Sequence, residues 1–399
     1  MRALWHRLWQ RFWVLPALCC VVAFALGATL PELDDALVSG SVLVFGGGPD
    51  GARSLLSAIV TSMISVTGLV FSITVVSLQL ASSQFSPRVL RTFLDSRITQ
   101  LTLGLFAGTF LYSLVVLRSV RGDSDVPAFV PQLSVTGAFV LVVASVGMFV
   151  VYIHHITNSI RVVTIISAVG DETRSLIARL KDGDDDESRR DPKLGEPTRV
   201  IASSGHGVVT EVRHRALVRR AENSGAVLEV LPAIGDFVAS GMPLVAVHGD
   251  QGNGNELDDE AVRDAVRLEP ERSMQEDIGF GFRQLVDIAE RALSPGINDP
   301  TTAIQVIDEL HDLLRSLAVQ PDPGHVRTDG DGQPRLVVRR VPFAGVLRLA
   351  VEEIAHYGRD AVRIGPRLGD MLDDLASVAA PEHRSDISAV RQQMASANT

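Results

Sequence analysis

The chain has 399 residues, 46% of them apolar, and sets 47 Asp and Glu against 37 Lys and Arg for a formal net charge of −10, with a mean hydropathy of +0.22. That balance excludes a nucleic-acid partner, since no basic face is available to neutralise phosphates, and it predicts a strongly apolar part joined to an ordinary charged one. The only cysteines, Cys19 and Cys20, are adjacent within an apolar run, which excludes a disulfide framework and a cysteine-based metal site.

Residues 1–155 read as a membrane domain of four helices, with spans at about 12–30, 55–80, 98–117 and 133–153, each near the roughly 20 residues that a bilayer requires. The first span follows MRALWHRLWQR. Although ALGA at its end is like a cleavage site, Trp5, Trp9 and Trp13 recur at helical spacing and predict a retained helix with an interfacial aromatic belt. Arg2, Arg7 and Arg11 precede span one, and Arg88, Arg91 and Arg97 lie between spans two and three. The connection from Pro31 to Gly51 is instead acidic, with Glu32, Asp34, Asp35 and Asp50. The positive-inside rule then predicts cytoplasmic termini and a cytoplasmic second half, with the lipid bilayer as the first partner.

Span two belongs to a stretch with no charge between Arg53 and Arg88, SLLSAIVTSMISVTGLVFSITVVSLQLASSQFSP. At about 100° per residue, Ser54, Ser57, Thr61, Ser65, Gly68, Ser72, Gln79 and Ser83 share a sector of roughly 80°. Two readings stand: small residues that let helices pack closely, or the wet lining of a passive pore on an oligomer axis. Charged groups are absent from the membrane portions, which disfavours a proton-coupled or charge-driven transporter. His154 and His155, at the end of span four, read as interfacial anchors.

Past the membrane domain, residues 156–180 keep a helical apolar spacing and predict a juxtamembrane helix, and 181–198, containing DGDDDESRRDPKLGEP, reads as a solvated linker. Residues 199–249 alternate as short strands, GVVTEV and AVLEVLPAIGDFVASGMPLVAVHG, around a helical insert RHRALVRRAENSG. The G-D-F-V-x-x-G-x-P-L turn is similar to that of biotinyl and lipoyl barrel-sandwich modules. Those modules present a lysine, and this segment has none, which excludes a swinging-arm role.

Residues 256–399 read as mostly helical, with helices at about 256–268, 272–293, 300–318, 342–357, 361–379 and 382–396 and a strand at 336–340. The turn SPGINDPTT offers Asp299 as a helix cap with Pro300 at the first helical position. Its polarity between apolar-faced helices predicts a hydrogen-bonded contact cluster of Asp277, Arg283, Ser294, Asn298, Asp299 and Thr301 at a subunit or domain contact, against the simpler reading that Asp299 only caps. The fold class expected is thus a four-helix membrane domain plus an α+β region with a small barrel-sandwich-like module and a helical C-terminal part.

The blocks SVTGLVFSITVVSLQLASSQFSPRVLRTFL and RSMQEDIGFGFRQLVDIAERALSPGINDPTTAI resemble the bacterial predicted membrane protein family catalogued as domain of unknown function 2254, over nearly the whole chain. Its usual features fall on Gln84, Phe85, Pro87 and Arg88, and on Asp277, Gly279, Gly281, Gln284 and the Ser294 to Pro300 turn. The resemblance implies an inner-membrane protein and brings no activity with it.

Catalytic signatures are missing: the chain has no G-x-S-x-G, no phosphate loop and no H-E-x-x-H, and GFGF at 279–282 lies within a helix. His206, His214 and His248 lack ligand spacing and read as surface residues. The expectation is a non-enzymatic, cofactor-free homo-oligomer: a passive ion path with a cytoplasmic gating and assembly domain, or a membrane-anchored scaffold or sensor whose cytoplasmic part binds a protein partner.

Overall fold

A segment that is apolar on every side can enter lipid only if it satisfies its own backbone, and the helix does so locally. In the computed structural model four such stretches are helices: α1 (Val14–Leu37), α2 (Pro49–Gln84), α3 (Arg97–Ser119) and α4 (Gln132–Ser159). All four are long and apolar enough to cross a membrane. The structure describes residues 13–37, 45–84, 96–122, 129–159, 161–182, 187–188, 192, 194–249, 257–322 and 324–397. Trp5, Trp9, Phe85, Pro87, Arg88 and Arg91, together with the Ser83 side chain, therefore lie outside the described residues. The chain divides into two compact units, Met1–Thr164 and Ile165–Thr399.

In the first unit α3 is central. Half of its most apolar window is buried, 50% against 17–22% for the other three. Close approach explains why: a Cβ on Gly104 would lie 2.9 Å from Cys19 Sγ and 3.1 Å from the Pro16 backbone, so only glycine lets α1 and α3 meet there. Gly108, four residues on, also faces the Cys19 backbone, where a Cβ would lie in ordinary contact at 3.4 Å.

The first helix extends beyond the expected end near residue 30, through Pro31 to Leu37. Asp34, expected in an acidic connection, is therefore helical and only 3% exposed. Its carboxylate accepts from Leu133 N at 3.0 Å and from Ser134 N and Oγ at 3.4 Å. It satisfies amides at the start of α4 that have no partner in their own helix, where a negative charge also suits the helix dipole.

The boundary falls within the first turn of α5 (Val162–Asp182), and the second unit is built from two sheets and a helical layer. Strands β1 (Glu187–Ser188), β2 (Arg199–Ala202), β3 (Gly207–Val212), β4 (Val227–Val230), β5 (Phe237–Val238) and β6 (Pro243–His248) come first, with α6 (His214–Ser224) between β3 and β4. They are followed by α7 (Asp259–Arg263), β7 (Val266–Glu269), α8 (Ile278–Leu293), α9 (Pro300–Ala318), β8 (Val326–Thr328) and β9 (Pro334–Val338). Three helices close the chain: α10 (Phe343–Tyr357), α11 (Ile364–Val378) and α12 (Arg384–Ala397).

The larger sheet has the order β1-β8-β9-β4-β6-β2 and the smaller β5-β3-β7. Every pairing is antiparallel except β4 with β9. The strands of 199–249 thus do not close on themselves as a barrel; β7, β8 and β9, the last at the strand expected near 336–340, complete both sheets. The helix expected over 256–268 is a single short turn, α7, followed by β7, because Val266 and Leu268 pair with Val212 and Val209 and gain more from the ladder than from helical propensity. Part of the expected linker is also structured, since Glu187 and Ser188 pair with Arg327 and Val326.

One apolar core joins α6 to the sheets through Leu217, Ala221, Leu228, Val230, Val245 and Leu336. In the helical layer α8 packs on α9 and α10, α9 on α11, and α10 on α12. Gly235 and Gly241, the turn glycines noted in the sequence, have φ of 93° and 84°, a region that costs other residues strain. A Cβ at Gly235 would also lie 2.6 Å from Asp277 Oδ2.

Candidate functional site

The polar face of α2 is turned away from the helices of its own chain. Ala52, Leu56, Ile59, Met63 and Val70 form the packed side and are at most 5% exposed. At about 100° per residue they centre on the opposite side of the helix from the hydroxyl stripe. Ser54, Ser57, Thr61, Ser65, Gly68, Ser72 and Gln79 are all exposed, and a Cβ on Gly68 would touch nothing. Large apolar side chains, Ile64, Leu69, Phe71 and Val76, border the stripe and are exposed as well. Two stripe hydroxyls donate back to their own helix, Thr61 to Ser57 O at 2.9 Å and Ser65 to Thr61 O at 3.0 Å.

Contacts between the four helices use other polar groups. Tyr152, Thr74 and the Val70 carbonyl form a triangle of 2.8–3.2 Å edges joining α4 to α2. Thr109 and Ser145 meet at 3.1 Å between α3 and α4, and Tyr112 donates to Ser134 O at 3.0 Å. At the other end of α4, His155 Nε2 meets Ser96 Oγ at 2.8 Å, and His154 bonds Asn158. Sequence reasoning passed over this set and over the close contact at Gly104 and Gly108, although GLFAG at 104–108 is a small-xxx-small signal.

The six residues of the expected contact cluster fall into separate networks within the chain. Asp277 caps α8 by accepting from Phe280 N at 3.0 Å and holds Arg272 with both oxygens at 2.8 and 3.0 Å. Asp299 caps α9 through Thr301 N, Thr302 N and the Thr302 hydroxyl, the last at 2.6 Å. The Thr302 hydroxyl and the capped amides hold the Asp299 carboxyl below its ordinary range. Asn298 supports this turn with a φ of 49°, and Asn298 N donates to Ser294 O. The 16 residues of α8, about 24 Å, separate Asp277 from that turn.

Arg283 is the hub of a third network. It reaches Asp287 at 2.6 Å, Glu290 at 3.0 Å and, on α10, Glu353 at 2.6 Å. Burial works against the Arg283 charge, but its bonds to Glu353 and Asp287 outweigh this and raise its pKa. With three carboxylates around one guanidinium, burial and the hydrogen bond to Glu353 push the Glu290 carboxyl up to about 7.

Two histidines expected on the surface are not there. His248, 6% exposed, bonds Gly195 O at 3.0 Å and Glu229 at 3.3 Å, because β6 runs through the sheet interior and buries five of its six residues. His214 lines a cavity of about 340 Å³, and only His206 is exposed.

This cavity is lined by residues from α5, α6, the start of α8, the end of α9 and the chain after it, strands β8 and β9, and α10. Its apolar side includes Leu180, Ile234, Phe343 and Val346, and its polar side includes Arg179, Arg327, Arg339, Arg340, Glu276 and Asp322. Burial, helped by Arg327 and Arg340, pulls the His214 imidazole down to about 4, so the ring is neutral at physiological pH. Burial also raises the Glu276 carboxyl. Sequence reasoning missed this site because its groups lie up to 169 positions apart, from Ile177 to Val346; the Arg339-Arg340 pair closing an apolar strand was the one local signal. Among the described residues no group of three or more His, Cys, Asp or Glu is placed to hold a metal.

Comparison with known proteins bears on the whole chain. Uncharacterized proteins of Mycobacterium bovis and Mycobacterium tuberculosis are 35% identical over 359 residues, covering 87% of this chain and 68% of theirs. No solved structure matches. Residues 9–374 match the family described as "Predicted membrane protein (DUF2254)", and the chain belongs to that family.

Proposed function

We propose that this is a non-enzymatic inner-membrane protein that works as a homo-oligomer, in which the α2 faces of several copies surround a passive ion path. In this reading both termini and the charged unit are cytoplasmic, and that unit serves assembly and gating. The observation that carries it is the direction of the uncharged stripe: it faces neither its own core nor a fully apolar surface, and its hydroxyls suit a weakly selective, hydrated lining. One observation favours the alternative of a non-conducting scaffold or sensor. Thr61 and Ser65 already satisfy their hydroxyls within the helix, so that face can pack against a second copy without water.

Single cysteines at 57, 61, 65, 68 and 72, with Cys19 and Cys20 replaced by Ala, test the pore directly. A membrane-impermeant thiol reagent should label the mid-membrane positions at a helical period, and Ser65→Leu should abolish flux through reconstituted protein. Protection at 61, 65 and 68 from both sides would overturn the pore and leave the packing role.

A further inference from the structure

The cavity of the second unit has the size and make-up of a small-molecule site. About 340 Å³ is within the range of ligand pockets, and its lining combines an apolar wall with a few converging polar groups. Four arginines line it, against three acidic residues. Two of those acids have structural tasks: Asp277 is held by Arg272, and Asp322 Oδ1 accepts from Phe343 N at 3.0 Å at the start of α10. With Glu276 facing Arg327 and Arg340, the lining keeps a formal excess of one positive charge, which favours an anion.

His214 orients one of these arginines. Its Nδ1 lies 3.5 Å from Arg327 Nη2, and because a guanidinium can only donate, the Nδ1 lone pair is the acceptor.

We infer that the cavity binds a small organic anion, an apolar body carrying one carboxylate or phosphate, with Arg327 and Arg340 at the anionic head and Leu180, Ile234 and Phe343 against the body. Guanidinium groups suit this task because their planar donor fork matches carboxylate and phosphate oxygens. The walls come from both the sheets and the helical layer, so an occupant would tie the two layers of this unit together.

Calorimetric titration of the full-length protein in phosphatidylcholine nanodiscs tests this with four probes: 1-naphthyl phosphate, 1-naphthoate, neutral 1-naphthalenemethanol and cationic 1-naphthylmethylamine, with empty nanodiscs as baseline. Saturable binding of at least one anionic probe, roughly tenfold or more tighter than either of the others, is expected. Arg340→Gln should weaken the anion by roughly tenfold and leave the neutral probe unchanged, whereas Val341→Trp, in the lining, should block both. If Arg340→Gln does not yield folded protein, Arg327→Gln gives the same reading. Equal affinity for charged and neutral probes, anion binding unaltered in both folded variants, or no saturable anion binding would each overturn the site.

Discussion

The two units solve one problem, how to pair polar groups inside a fold, with different chemistry. In the first unit the pairs are neutral: Thr109 with Ser145, Tyr152 with Thr74, Tyr112 with a carbonyl. Among the described residues the one buried acid there, Asp34, is spent on the amides of a helix start. In the second unit the same role goes to ions, as in Arg283 with its three carboxylates. The surroundings explain the contrast. Where water is near, a charge keeps much of its solvation and can be paired cheaply; in hydrocarbon an ion is costly, so hydroxyls take over. Burial differs as well, because apolar side chains leave water only in the second unit.

The largest test of that difference is a cavity. Leu310→Ala, on a fully buried side chain of α9, should cost about 2–5 kcal/mol in denaturant unfolding of the second unit. A cost well under 1 kcal/mol would deny that water drives this core. Next comes the ionic hub: Arg283→Gln strands three carboxylates and should cost about 2–3 kcal/mol.

The pH dependence of that loss follows from Glu290. Its pKa is raised in the folded state to about 7, so the folded protein binds the extra proton and stability falls as pH rises from the ordinary carboxylate value through 7. Arg283 partly restrains that rise. Without it the fall with pH should steepen, and the variant should lose more at pH 8 than at pH 5; an equal loss at both would break the assignment.

Smaller is the cap. Asp299→Ala should cost about 1 kcal/mol at pH 7. Its pKa is lowered by folding, so the contribution is present above the ordinary Asp value and disappears as pH falls through the folded one; thermal melts of wild type and variant should converge in acid. The smallest effect expected is Thr109→Val, about 0.6 kcal/mol by unfolding in mixed micelles, since hydroxyl pairs between membrane helices contribute modestly. A loss as large as that of Arg283→Gln would mean that the first unit depends on its polar pairs as heavily as the second does.

Much of the architecture was legible because it is local. Hydropathy marks the four long helices, the Asp299-Pro300 turn announces α9, and the glycines of G-D-F-V-x-x-G mark left-handed turns. The errors have a common origin in partners far along the chain. Residues 266–269 look helical until β3 pairs with them, His248 looks exposed until the sheet covers it, and Asp34 looks like a loop acid until the start of α4 arrives beside it.

The candidate sites divide along the same line. Periodicity alone determined that α2 carries an uncharged polar stripe, since a helix places every third or fourth residue on one face whatever surrounds it. Only the tertiary structure decided that the stripe faces outward, and only it assembled His214, Arg327 and Arg340 around one cavity. Both depend on which surfaces pack together, and packing is set by shape and long-range contact that no local pattern encodes.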